Sequence, residues 1–175
     1  MKLYFIFMCS LLIFTGCTSE EKKLADPKTV FANTFEPNDW AIEQLNTIQN
    51  VAISHSGKLV CVIDSVRTAS LQIVKQIKDI SQEKIDSVAF SYWVFLKTPT
   101  ATAKTVLSVD ELTGKNVLWI GNSINDKTKE LNKWVKIQET FQLPKDMDTK
   151  NILKAYVWNT SKEQILLDDF VITFY

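Results

Sequence analysis

Short runs of alternating apolar and polar residues follow one another along the chain from Val30 to its last residue. In order they are VFANTFE, VAISHSGKLVCVIDS, LQIVKQI, IDSVAFSYWVFLKT, AKTVLSVDEL, NVLWIGN, WVKIQETFQLP, NILKAYVWN and ILLDDFVITFY. Successive side chains of a strand point to opposite faces, and short strands at regular spacing are typical of a sandwich or barrel. Helical patterns are confined to SQEKID and DKTKELNKW, which predict short helical turns between strands.

The last of these runs contains two adjacent aspartates in an otherwise apolar strand. Regular alternation would place five side chains on one face: Leu166, Asp168, Phe170, Ile172 and Phe174. An apolar face with a carboxylate on it requires a partner for that charge. Two kinds of partner are open at this point, a bound cation or a set of hydrogen bonds from loop amides or a lysine.

The beginning of the chain has the pattern of an export signal. After Lys2, residues 3–14 are nearly all apolar, which is too short a run for the roughly twenty residues of a membrane-spanning helix. The sequence IFTGC resembles the lipobox of bacterial lipoproteins, which implies a signal peptide of residues 1–16 and a lipidated Cys17. We therefore expect a lipid-anchored protein of the bacterial envelope, at the outer membrane and with surface exposure, and an ordinary secretory signal is the alternative.

The residues after the signal divide into a tether and one domain. Residues 17–28 are polar and charged without apolar periodicity, which predicts a flexible tether, and residues 29–175 have the length of a single domain. Hydrophobic residues make up 46% and charged residues 23% of the chain, a normal globular balance. Of the three cysteines, Cys9 would leave with the signal, so Cys61 has no disulfide partner and is expected to be a small buried hydrophobe.

Charge and motifs exclude several classes of function. The 20 basic side chains equal the 20 acidic ones, and no basic run alternates with aromatics, so nucleic acid is not an expected partner. The single histidine, His55, has no cysteine or second histidine with which to form a zinc site or a nucleophile pair. A phosphate loop and a nucleophile elbow are also missing from the sequence. We do not expect an enzyme.

Four stretches together resemble the jelly-roll, galactose-binding-like carbohydrate-binding modules. They are NTFEPNDW, SHSGKLVCVI, WVKIQETFQLP, and the pair LKAYVWN and ILLDDFVI, and they occur in that family's order over nearly the whole mature chain. The resemblance implies an all-β jelly-roll β-sandwich of two antiparallel sheets. It also implies that Trp40 and Trp134 are structural residues at strand ends.

The same resemblance implies a structural calcium ion that joins the first strand to the last. Carried over residue by residue, the ligands would be Glu36 and Asp168, with Asp169 as a weaker candidate. Calcium prefers hard carboxylate and carbonyl oxygens, so these side chains suit it. The ion would neutralise the carboxylate of the terminal strand, and its role would be structural.

Carbohydrate binding, if it occurs, would use exposed aromatic rings, because the C–H face of a pyranose stacks on indole and phenol rings. Alternation in NILKAYVWN predicts one core face and an opposite face with Lys154, Tyr156 and Trp158. Trp93 is a further candidate from SYWVF. A row of coplanar exposed rings would indicate a glycan-binding lipoprotein, whereas a flat exposed apolar patch would indicate a structural or protein-interaction lipoprotein of the envelope.

Overall fold

A computed structural model describes residues 26–37, 39 and 46–175. The strands are β1 (Thr29–Asn33), β2 (Ile48–Asn50), β3 (Leu59–Ile63), β4 (Ile73–Gln76), β5 (Ser87–Leu96), β6 (Ala103–Asp110), β7 (Asn116–Ser123), β8 (Trp134–Gln142), β9 (Ile152–Asn159) and β10 (Ile165–Phe174). The predicted signal peptide, Cys17, most of the tether and Trp40 lie outside the described residues. Within them, no helix has the length and apolar character needed to cross a membrane.

The strands form two antiparallel sheets. One sheet has the order β2-β3-β10-β5-β8, and β1 pairs with the second half of β10. The other sheet has the order β4-β9-β6-β7. Neighbouring strands in each sheet are often distant in the sequence, as a jelly roll requires. The predicted all-β jelly-roll sandwich of two antiparallel sheets is confirmed.

A polar bridge crosses the core between the sheets. The Tyr92 hydroxyl lies 2.7 Å from the Thr105 hydroxyl, and Thr105 donates to Glu139 over 2.7 Å. The amide of Asn122 donates to the other oxygen of Glu139, also over 2.7 Å. Burial raises the pKa of Tyr92, which keeps its hydroxyl protonated. The bridge joins β5 and β8 of one sheet to β6 and β7 of the other and satisfies polar groups that would otherwise be costly to bury.

The two aspartates of the terminal strand form a β-bulge, which overturns the predicted arrangement of its faces. Asp169 has a left-handed φ of 49°, and the pairing of β10 with β5 shifts register between Asp168 and Val171. The bulge adds one residue to β10, so the core side chains have odd residue numbers before it and even residue numbers after it. Leu167 and Phe170 both point into the main core, as do the residues that alternate with them on either side. Asp168 therefore does not share a face with Phe170, because regular alternation does not hold through the bulge.

Asp168 lies on the outer face of the six-stranded sheet, beneath the turn formed by residues 54–57. Its partner across β5 is Trp93, which faces outward. Gly57 within this turn has a left-handed φ of 54°. The Glu36 carboxylate packs against Gly57 and accepts hydrogen bonds from the amides of Lys58 at 2.6 Å and Leu59 at 2.9 Å. The entry to β3 is thus fixed by carboxylates from both ends of the described chain.

Both helical segments begin before the stretches for which the sequence predicts helical turns. A four-residue helix spans Ile77–Ile80, just before SQEKID, and a 3₁₀ turn spans Ile124–Asp126, which ends at the first residue of DKTKELNKW. Ile77, Ile80 and Ile124 are buried, so tertiary packing and not local polarity decides where these turns form. The short strand β2 was not predicted.

We expect Gly57→Ala to lower the free energy of unfolding more than Gly114→Ala does. Both glycines have left-handed φ values, of 54° and 86°, which cost an L-residue about 1 kcal/mol. A Cβ at Gly57 would also overlap the Glu36 carboxylate and displace it from its two amides, whereas a Cβ at Gly114 meets nothing within 4 Å. Urea denaturation of both variants measures the difference, and equal losses would contradict the packing of Glu36 on this turn.

Candidate functional site

Asp168, a predicted calcium ligand, is held by backbone amides. One carboxylate oxygen accepts from the amides of His55 at 2.9 Å and Ser56 at 3.0 Å, and the other accepts from the amide of Asp169 at 2.9 Å. The residue is fully buried. Burial raises the pKa of Asp168, and the three amide hydrogen bonds oppose that shift.

Asp169, the weaker predicted ligand, binds the same turn through side chains. One of its oxygens lies 2.6 Å from Nδ1 of His55, and the other accepts from the Ser56 hydroxyl at 2.6 Å. The imidazole of His55 stacks on the Trp93 indole with ring centroids 3.9 Å apart and planes 18° from parallel. The bulge therefore positions two carboxylates: Asp168 binds the backbone amides of the turn, and Asp169 binds its side chains.

The contacts of Asp168 correspond to the metal-free alternative that the sequence left open. Both of its oxygens face N–H donors, and one oxygen of Glu36 faces two more. Positive N–H dipoles are poor neighbours for a cation. Within the described part of the chain, no group of three or more His, Cys, Asp or Glu side chains is placed to hold a metal ion. Calcium at Glu36, Asp168 and Asp169 stays a prediction.

The predicted aromatic face of β9 lies on the outer side of the four-stranded sheet. Leu153, Ala155 and Val157 are buried in the core, and the residues between them point outward. Lys154 and Tyr156 are partly exposed, and the Trp158 side chain is 39% exposed. Alternation thus places the three β9 candidates on one surface.

A further tryptophan, which the sequence reasoning missed, completes this surface. Trp119 of β7 is 45% exposed, and its ring centroid is 6.4 Å from that of Trp158 with the planes at 84°. The benzo end of the Trp119 indole lies over Gly121, where any Cβ would overlap the ring. Alternation also places Trp119 and Gly121 on one face, and a glycine two residues after an outward tryptophan is the sequence signal that could have identified it.

These aromatics line a groove of about 610 Å³ on the four-stranded sheet. Its lining residues are Thr68, Ala69, Gln72, Trp119, Lys154, Tyr156 and Trp158. The segment before β4 forms one wall because it is hydrogen-bonded along the edge of β9. Ser70 donates its amide to Val157 at 2.9 Å, and Asn159 donates its amide to Thr68 at 2.8 Å.

An ion pair stands at one end of the groove. The Lys154 ammonium lies 2.6 Å from the Asp110 carboxylate, which also accepts from the Asn116 amide at 2.7 Å. Lys154 and then Asn116 lower the pKa of Asp110, so that carboxylate is ionised at neutral pH. The groove therefore combines an aromatic end with a polar, charged end.

The structure separates Trp93 from the β9 candidates. Trp93 belongs to β5 in the six-stranded sheet, and it lies outward beneath the His55 ring. The Trp134 ring packs on the same side, 5.5 Å from Phe95 and 5.9 Å from His55 between centroids. Trp93 does not join Tyr156 and Trp158 in one platform, because β5 and β9 belong to different sheets.

No protein-family model and no curated protein matches this chain. Solved structures do match its fold. A xylan-binding domain from carbohydrate-binding module family 22 superposes with a TM-score of 0.56 at 13% identity, covering 86% of this chain and 97% of that one. The C-terminal family 22 module of Clostridium thermocellum Xyn10B gives 0.52 at 12% identity, covering 73% and 78%. At these identities the likeness shows a shared jelly-roll fold.

We expect Asp168→Ala to lower the free energy of unfolding by roughly 2 to 5 kcal/mol, because three amides lose their buried acceptor. The raised pKa of Asp168 adds a pH dependence. As pH rises above the ordinary aspartate pKa, the folded state holds more protons than the unfolded state, so this group's contribution to stability falls. The stability difference between wild type and variant should therefore be larger at pH 4 than at pH 7.

Urea denaturation at the two pH values measures both effects. Asp146→Ala, at an exposed loop position, is the matched control and should change stability by less than about 0.5 kcal/mol. A difference that grows from pH 4 to pH 7 would contradict the sign of the Asp168 shift.

Proposed function

We propose that this protein is a non-catalytic carbohydrate-binding module that holds poly- or oligosaccharide in the groove of the four-stranded sheet. The observation that carries the proposal is the pair of exposed tryptophans, Trp119 and Trp158, set at right angles beside polar side chains. The family 22 structures that share its fold are described as xylan-binding, which adds support from analogy.

The angle between the two ring planes determines which shape of glycan the groove suits. A row of coplanar rings was the predicted sign of a glycan-binding surface, whereas the planes of these two rings are 84° apart. Two perpendicular rings form a corner, in which one indole can stack on the C–H face of a pyranose and the other can contact its edge. A corner favours a bent or branched glycan segment over a flat ribbon, on which successive rings would lie in one plane.

Polar groups beside the corner supply hydrogen bonds to sugar hydroxyls. Thr68, Gln72 and Lys154 line the groove together with the tryptophans. A sugar ligand requires such a mixture of apolar faces and a few directed polar groups. The exposed side chains of the groove provide both.

A binding role fits the groove better than hydrolysis does. Glycoside cleavage uses two carboxyl groups that flank the scissile bond. The described residues that line the groove include no carboxyl group, and the adjacent Asp110 is held by Lys154 and Asn116. Asp110 is ionised at neutral pH, so it is poorly suited to act as the general acid.

We further propose that the module is displayed from a membrane. The apolar run of residues 3–14 and the sequence IFTGC support an exported lipoprotein anchored through Cys17 in the bacterial envelope, with the outer membrane as its site. A tethered module would keep glycan at the cell surface.

A glycan array tests the binding proposal directly. Wild-type protein should bind one class of sugar reproducibly, and Trp119→Ala or Trp158→Ala should weaken that binding by about tenfold through loss of ring contacts. Gly121→Ala should also weaken binding, because the added Cβ displaces the Trp119 ring without removing it. Trp93→Phe, on the other sheet, is the matched control and should leave binding unchanged.

Silence across plant, algal, microbial and host glycans would count against the proposal. The sandwich would then be better explained as a structural or protein-interaction lipoprotein, and a partner protein would be sought at the same exposed rings. Binding that survives both tryptophan substitutions would instead place the sugar elsewhere on the molecule.

Chelation tests the predicted calcium ion. A ligand that binds only the folded state raises the melting temperature, so removal of bound calcium with EDTA should lower the Tm of metal-replete protein. Glu36→Gln should abolish that dependence, and Asp146→Ala should keep it. An unchanged Tm would leave the amide hydrogen bonds of Glu36 and Asp168 as sufficient partners for these carboxylates.

A further inference from the structure

We infer that the groove prefers glycans that carry a negative charge, a carboxylate or a sulfate ester, and that Lys104 recognises that charge. The inference rests on the proposed carbohydrate binding and specifies its ligand class. It depends on three observations. They are the position of Lys104 at the Trp119 ring, the lack of a carboxylate partner for its ammonium among the described residues, and the residues that line the neighbouring depression.

Lys104 stands at the aromatic corner. It belongs to the outer face of β6, where its register partners are Trp158 on β9 and Ser123 on β7. Its ammonium lies 5.4 Å from the centroid of the Trp119 ring. The ammonium therefore lies over the indole face, within reach of a pyranose that contacts the same ring at about 4 Å.

The two lysines of this surface differ in their partners. The Lys154 ammonium is 2.6 Å from Asp110. Within the described part of the chain, no carboxylate lies within ion-pair distance of the Lys104 ammonium, which lies over the Trp119 ring. Asp110 is six residues further along β6, about 20 Å away at the rise of a strand, which exceeds the screening length in physiological salt. The charge of Lys104 is therefore available to a ligand.

A second depression, of about 490 Å³, continues the groove beyond Lys104. Its lining residues are Lys104, Gly121, Asn122, Ser123, Asp126 and Lys127. Two ammonium groups thus face one carboxylate, which leaves a net positive charge. Ser123 accepts from the amide of Asn125, so its hydroxyl proton remains able to donate to an anion.

Glu139 places a carboxylate on the core side of these strands, behind the outer surface. Glu139 approaches β6 and β7 from the core, where Thr105 and Asn122 already donate to its two oxygens. These hydrogen bonds lie on the core side of the sheet, opposite its outer surface. Among the described residues, the outer surface next to Trp119 thus presents two ammonium groups outside ion-pair distance of a carboxylate, and a hydroxyl group, an arrangement suited to an anionic substituent at the edge of a stacked sugar.

Charge-matched probes test the inference. One pair is a xylo-oligosaccharide with a single uronic acid branch and its methyl ester, and the other is a sulfated galactan oligosaccharide and its desulfated form. Wild-type protein should bind one charged member about fivefold more tightly than its neutral counterpart at low salt, the effect of a partly exposed ion pair. The preference should shrink at high salt, and which pair shows it identifies the anion.

Lys104→Met should remove the preference while binding of the neutral member remains. Lys145→Met, on a distant exposed loop, changes the net charge equally and should keep the preference. Equal binding of charged and neutral members by wild type would overturn the inference and leave carbohydrate binding intact. Absence of binding to all probes, together with silence on the wider array, would overturn both.

Discussion

The hydrogen bonds between the terminal bulge and the turn of residues 54–57 are the constraint on which the six-stranded sheet depends. Strand β10 pairs with β1, β3 and β5, so it is shared by three ladders. The bulge at Asp168 and Asp169 sets which of its side chains reach the core on either side. A slip of one residue would turn that whole set toward the outer face. The carboxylates fix the bulge by binding the amides and side chains of the turn.

The groove depends on a second polar contact, located on the opposite side of its strands. Thr105 and Asn122 bind Glu139 in the core, and they directly follow Lys104 and Gly121, which line the depression next to the groove. The register of β6 and β7 beneath the groove is thereby held from within. Trp119 then takes its place over Gly121, since the absence of a side chain there leaves room for the indole. Hydrogen bonds on the core side of β6 and β7 therefore help to set the positions of the side chains on their outer side.

The sequence predicted the parts of the fold that follow from regular alternation. The core and outer faces of β9 and the two-sheet sandwich follow from period-two patterns, because strands impose that period wherever one face is buried. The bulge could not be predicted from this pattern, because alternation gives no sign of the left-handed conformation that Asp169 adopts. Trp119 was missed because its neighbours on β7 are mostly exposed, so no clear core face marks its orientation. Trp93 was assigned to the platform because sequence patterns do not reveal which sheet a strand joins.

The pairing of the first and last strands has a mechanical consequence. Strand β1 is joined to the rest of the protein by its ladder with β10, which extends from Thr29 opposite Phe174 to Asn33 opposite Phe170. A pull on the chain before Thr29, with the opposing load on the groove of the other sheet, is borne by that ladder and by the hydrogen bonds from Lys28 to Phe174 and from Thr29 to Ile80. Resistance to such a load is governed by the rate at which these contacts open and not by the equilibrium free energy of unfolding. These contacts thus set how long the molecule can hold a load applied at its amino-terminal side.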